Sequence, residues 1–107
     1  MSGALERLAA TIAARKAAGD ASASHTAKLL ASGPQKCAQK FGEEAVEAVI
    51  AAAAGDRDEL VKESADTLFH MMVMLASHDL TIEDVLGELD RREGVSGLEE
   101  KAARNKG

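Results

Sequence analysis

Between Pro34 and Ser77 the chain offers a single break in a helical pattern, the dipeptide Gly55-Asp56. So short a break permits only a tight reversal, and the sequence therefore predicts two long helices packed as an antiparallel hairpin. The ends of both are marked. Pro34 suits a first helical position, where its missing N–H costs nothing. Gly55 supplies a left-handed stop. Asp56 caps the second helix, with Glu59 three places on predicted to complete a capping box.

The rest reads the same way. A helix is expected from about Leu5 to Ala18, ended by Gly19, and a short one over Thr26 to Ala31, capped by Ser24. Thr81, with Asp84 in the reciprocal position, opens another that ends near Gly94. Ser96-x-x-Glu99 precedes a short charged helix at the C-terminus. With 22 alanines, one proline and no period-2 alternation, the expected class is all-α. Residues 1–107 are read as one compact domain, since 107 residues supply one core.

Charge and composition exclude several functions. Lys plus Arg number 13 against 18 Asp plus Glu, a net charge of −5, and there is no Trp or Tyr. Neither a basic patch nor stacking platforms are present for nucleic acid. Cys37 stands alone, which excludes a disulfide framework. Apolar runs fall short of the ~20 residues that span a bilayer. The N-terminus carries charge where a secretory leader would be apolar. The expectation is a soluble, cytoplasmic chain with neither nucleic acid nor membrane as partner.

Chemistry gathers on the hairpin. At about 100° per residue, Cys37, Phe41, Ala45, Ala48 and Ala52 form an apolar stripe on the first helix, with Glu44 at its edge. Lys36, Lys40, Glu44 and Glu47 follow one line. On the second helix Glu59, Glu63, Asp66, His70 and Met74 form another. Glu44 and Glu47 precede the reversal by as many residues as Glu63 and Asp66 follow it, so the two pairs stand at one height.

Four carboxylates converging between helices repel one another. Two of them ~5 Å apart do so by roughly 3 kcal/mol at an effective dielectric near 20. Protons, interleaved basic groups or a divalent cation must relieve this, and all-oxygen ligands favour Mg²⁺ or Mn²⁺. A lone Glu-x-x-Glu is usually a solvated face; two pairs at matched height bordering apolar stripes are not. Glu43 points further toward solvent and is a candidate base. Lys36 and Lys40 suit a polyphosphate, although Lys40 with Glu44 also makes an ordinary i,i+4 pair of ~0.3–0.5 kcal/mol. From its residue pattern His70 reads first as a hydrogen-bonded core histidine, and Met71, Met72 and Met74 as packing. The second helix is apolar all round from Leu68 to Ala76 apart from His70, which predicts burial on every side. In so small a chain this calls for a homodimer, or a dimer of dimers, covering Phe69, Met72 and Val73.

The stretch Lys36-Cys-Ala-Gln-Lys40-Phe-Gly-Glu43-Glu44-Ala-Val-Glu47, followed by Glu63-Ser-Ala-Asp66-Thr-Leu-Phe-His70, resembles the phosphoribosyl-ATP pyrophosphohydrolases of histidine biosynthesis. More widely it resembles the all-α, MazG-type nucleoside triphosphate pyrophosphatases. Ser24-His-Thr-Ala-Lys28-Leu, Leu89-Asp-Arg-Arg92 and the segment from Ser96 to Arg104 extend the likeness over nearly the whole chain. His25 and Phe69 depart from it, standing where the family commonly has Tyr.

The resemblance implies Mg²⁺-dependent hydrolysis of 1-(5-phosphoribosyl)-ATP to 1-(5-phosphoribosyl)-AMP and pyrophosphate. Glu44, Glu47, Glu63 and Asp66 are then the metal ligands, with Glu43 and Glu47 as candidate catalytic carboxylates. Lys36, Lys40, His70, Arg92, Lys101 and Arg104 are candidates for substrate phosphate and ribose, with Arg15 and Lys28 as further cations. The competing readings are a house-cleaning pyrophosphatase acting on (d)NTPs and a non-catalytic metal-binding helical module.

Overall fold

A computed structural model describes residues 3–93. Over them the chain forms five helices and no strand: α1 (Gly3–Ala18), α2 (His25–Ala31), α3 (Pro34–Ala54), α4 (Arg57–Ala76) and α5 (Ile82–Arg92). The expected C-terminal helix after Ser96 lies outside the described residues.

The hairpin forms where the sequence punctuates it. Pro34 begins α3, and Gly55 closes it at φ 72°, a left-handed conformation that a side chain would strain. Gly55 and Asp56 donate their N–H groups back to Ala52 and Ala51, satisfying the last carbonyls of α3. The Asp56 carboxylate accepts from the Glu59 N–H at 3.1 Å. The second half of the predicted capping box is absent, because the Asp56 N–H is already committed to Ala51. Glu59 is thereby released from the cap. At α5 the reciprocal bond is made, with the Asp84 carboxylate accepting from the Thr81 N–H at 2.8 Å.

α3 and α4 pack along their length, and α1 and α2 close over the second half of α4. The core gathers Ile12 of α1, Leu29 of α2, Cys37 of α3, Met72, Val73 and Ala76 of α4, and Ile82 of α5. Cys37 is the small buried hydrophobe expected, and its S–H donates to the Leu29 carbonyl at 3.3 Å, tying α2 to α3.

The expectation of all-round burial for α4 needs correcting. Leu68 is 46% exposed, so the chain alone covers one side of this helix and not the other. Met72 and Val73 were expected at a dimer interface but are already buried within the chain, Val73 completely. The cause is α1, whose Leu5, Leu8, Ala9 and Ile12 supply the cover. On the hairpin, the large apolar side chains left in solvent are instead Val46, Val49 and Ile50 on α3 and Val61 and Leu68 on α4. No helix of the described residues is long and apolar enough to cross a membrane.

Candidate active site

Which way the carboxylates face follows from helical period. Cys37 and Ala51 are buried and Glu44, midway between them, is half-buried. Seven-residue steps keep all three on the side of α3 that meets α4. On α4, Glu63 and Thr67 are half-buried and His70 is buried, an i, i+4, i+7 line. The reversal at Gly55 sets the two lines at one height. One carboxylate oxygen from each of Glu44, Glu63 and Asp66 accordingly lies within 4.8 Å of the others.

Thr67 fastens this seam. Its hydroxyl lies 2.7 Å from the Glu63 carbonyl and 3.1 Å from that of Glu44, so a single side chain bridges the backbones that carry two of the acids.

The electrostatics record the crowding. Burial, then a hydrogen bond with Glu59, then the charges of Glu44, Glu59 and Asp66 push the Glu63 carboxyl above its ordinary range. Glu43 goes the other way. Its carboxylate accepts from Gln39 Nε2 at 3.0 Å and pairs with Lys40 Nζ at 3.4 Å, and these hold it below the usual range. Burial pushes His70 down, toward the neutral imidazole. Glu44 and Asp66 oppose this, while Lys40 and His25 reinforce it. The ring stands edge-on to Phe69 with centroids 5.0 Å apart.

The structure thus brings together three of the four acids singled out as ligands. Glu47, one turn beyond Glu44, is exposed and lies outside the triplet. Lys40 is half-buried beside the site and pairs with Glu43 rather than Glu44, because the side chain of Glu44 turns toward α4. Lys36 is exposed one turn earlier. Arg92, at the end of α5, sits 3.6 Å from Glu88. Lys101 and Arg104 lie outside the described residues.

One residue at the seam was missed. Thr67 carried one faint signal, a hydroxyl at the head of an otherwise apolar run. Glu59 stands one turn before Glu63 on the predicted line, but its side chain was assigned to the cap.

The donor set fits a small hard cation. Mg²⁺ takes oxygen ligands at about 2.1 Å, which puts opposite donors about 4.2 Å apart. Three donors on one such ion include at most one opposite pair, the others standing about 3.0 Å apart, so these oxygens, within 4.8 Å of one another, would draw closer by side-chain rotation to hold it. A dication would also offset the neighbouring charges that, after burial and the Glu59 hydrogen bond, raise Glu63.

Comparison with known proteins agrees with the geometry. Residues 5–93 match the profile of the family described as phosphoribosyl-ATP pyrophosphohydrolase. A phosphoribosyl-ATP pyrophosphatase of Paracoccus denitrificans (strain Pd 1222) is 67% identical over 100 residues, 94% of this chain and 92% of that protein. One from Cereibacter sphaeroides (strain ATCC 17025) is 63% identical over 94% of this chain and 96% of its own length. One from Ruegeria pomeroyi is 62% identical over 96% and 97% respectively.

Proposed function

The chain belongs to the phosphoribosyl-ATP pyrophosphohydrolase family, and from that premise we propose that it hydrolyses 1-(5-phosphoribosyl)-ATP to 1-(5-phosphoribosyl)-AMP and pyrophosphate in the cytoplasm, as a step of histidine biosynthesis. The single observation that carries this reading is the carboxylate triplet of Glu44, Glu63 and Asp66 on facing helices.

Glu44, Glu63 and Asp66 would hold Mg²⁺. When bound, the ion neutralises phosphate charge and fixes the polyphosphate for in-line displacement. Lys40, with Lys36 one turn behind it, holds phosphate oxygens on the same side of α3. Lys40 is the better placed, being half-buried next to Glu44. Water attacks phosphorus at the linkage between the α and β phosphates, and the bridging P–O bond breaks to release pyrophosphate. The proton that water loses needs a basic carboxylate. Glu43 is already hydrogen-bonded to Gln39 and held low by Lys40. That task is assigned to Glu47, which is exposed, lies outside the triplet and is one turn from Glu44. His70 is neutral and buried beside Phe69, and supports the wall of the site rather than supplying charge. Thr67 keeps the heights of Glu44 and Glu63 matched.

The exposed Val46, Val49 and Ile50 of α3, with Val61 and Leu68 of α4, are the apolar side chains that a second copy would cover. The enzyme is a homodimer on this reading. Light scattering at micromolar concentration is expected to give twice the chain mass.

Purified protein with Mg²⁺ should release pyrophosphate from phosphoribosyl-ATP far faster than from dCTP, dUTP or ATP. Equal or preferential turnover of a deoxynucleotide would move the chain to the house-cleaning pyrophosphatases. Metal binding without pyrophosphate release from any of them would leave a helical metal-binding module.

A further inference from the structure

Beside the acids, on the other side of Lys40, α2 and α3 enclose a pocket of about 250 Å³ lined by His25, Lys28, Leu29, Ser32, Lys36 and Lys40. Its charge runs against that of the molecule. The whole chain carries −5, yet three lysines and a histidine converge here and no carboxylate lines the pocket. Among the described residues neither Lys28 nor Lys36 pairs with an acid, while Lys40 shares Glu43. Three ammonium groups around one cavity repel one another in the free protein, and an anion relieves this just as a cation relieves the acids next door.

The pocket and the acid triplet share a border. Lys40 lines the pocket and precedes Glu44 by one turn of α3, so it belongs to both. A polyphosphate gripped at the triplet and by Lys40 therefore leaves the α2 wall of the pocket, with His25 and Lys28, for a different anionic group. The proposed substrate has one that a plain nucleoside triphosphate lacks, the phosphomonoester on its second ribose. Among the described residues the other cations are placed less well, and Lys101 and Arg104 lie outside them. Lys16 is bound to Asp79 and to the Ala76 carbonyl, and Arg92 sits against Glu88. Arg15 lines a separate cavity with Lys16, on the side of the molecule that carries Ala27 and Ser77.

We propose that Lys28 and His25 form the subsite for the phosphomonoester of the substrate, and that this subsite makes the enzyme select phosphoribosyl-ATP over ATP. The proposal rests on the substrate assigned above. It makes Lys28 a specificity determinant that acts on binding, with the chemistry left to residues on α3 and α4.

The test is the kinetics of Lys28→Met and Lys28→Arg, with ribose 5-phosphate as a probe of the pocket alone. Lys28 is exposed on α2, so its loss removes no core packing. Lys28→Met is expected to raise KM for phosphoribosyl-ATP about ten-fold, the loss of one charge-assisted phosphate contact, with a much smaller change in kcat. The ratio of kcat/KM for phosphoribosyl-ATP to that for ATP should fall by a similar factor. Ribose 5-phosphate should inhibit the wild type competitively and Lys28→Met far less, and Lys28→Arg should recover both properties. An unchanged KM and unchanged inhibition in Lys28→Met would overturn the proposal. Should the wild type fail to turn over phosphoribosyl-ATP, the assigned reaction falls. Titration calorimetry of ribose 5-phosphate then judges the pocket separately: binding that Lys28→Met loses upholds an anion subsite, and equal or absent binding overturns it.

Discussion

Thr67→Val removes one hydroxyl from the seam between α3 and α4 and keeps the β-branched shape. That hydroxyl has one proton and two carbonyls within reach, Glu63 at 2.7 Å and Glu44 at 3.1 Å. The nearer lies in the preceding turn of its own helix, a back-bond that adds little to helix stability. The farther crosses to α3. A neutral hydrogen bond contributes ~0.5–1.5 kcal/mol net, and a shared proton in a half-buried place puts this one at about 0.5–1 kcal/mol. The loss is no larger, because each carbonyl sits inside a helix whose own N–H groups satisfy it. In a domain of about this size 1 kcal/mol moves Tm by roughly 4–8 °C, so a drop of about 2–8 °C is expected. Thermal melts followed by circular dichroism in EDTA measure it with no metal contribution. Thr67→Ser should recover most of the loss. A Thr67→Val protein that melts at the wild-type temperature, or above it, would refute the claim that this hydroxyl fastens the hairpin.

Three further outcomes are expected. Glu63→Gln should lower pyrophosphate release by orders of magnitude yet raise Tm in EDTA, since one charge leaves a crowded triplet; a lower Tm in EDTA would contradict the crowding. Val73→Ala should cost about 2–3 kcal/mol in urea unfolding, because two methyl groups are lost from a fully buried site; a loss under about 0.5 kcal/mol would mean that the core is not closed there. The hydrogen bond and charge of Lys16 hold Asp79 below its ordinary range, so its contribution is present above the unfolded carboxylate value and is lost as pH falls through the lower folded one. Asp79→Asn, which also tolerates the φ of 60° at this position, should therefore flatten the acid limb of the stability curve. An acid limb as steep as that of the wild type would show that the pair is idle.

The hairpin was legible because its signals are local. Gly33-Pro34 and Gly55-Asp56 act within a few residues of themselves, and they fix both the reversal and the matched height of the acids. What period alone does not reveal is which neighbour covers a face. The apolar run of α4 demanded cover, yet α1 rather than a second copy supplies it for Met72 and Val73. The same gap bears on Glu47 and Glu59. Glu47 lies 60° from Glu44 on the helical wheel, and that angle carries it out of the α3–α4 seam. Glu59 matched a capping box until Asp56 spent its N–H on Ala51, an arrangement set by the preceding helix. Thr67 sits where a polar side chain is useful only because a carbonyl of another helix stands opposite.

On this reading Glu44, Glu63 and Asp66 act as one cation site. Titration of Mn²⁺ into the wild type and Asp66→Asn, followed by the paramagnetic signal of the free ion, measures this without any turnover. The wild type should bind Mn²⁺ competitively with Mg²⁺, and Asp66→Asn should bind it at least about ten-fold more weakly while keeping its helical circular dichroism. Equal affinity in the two proteins would mean that Glu44, Glu63 and Asp66 do not hold the ion.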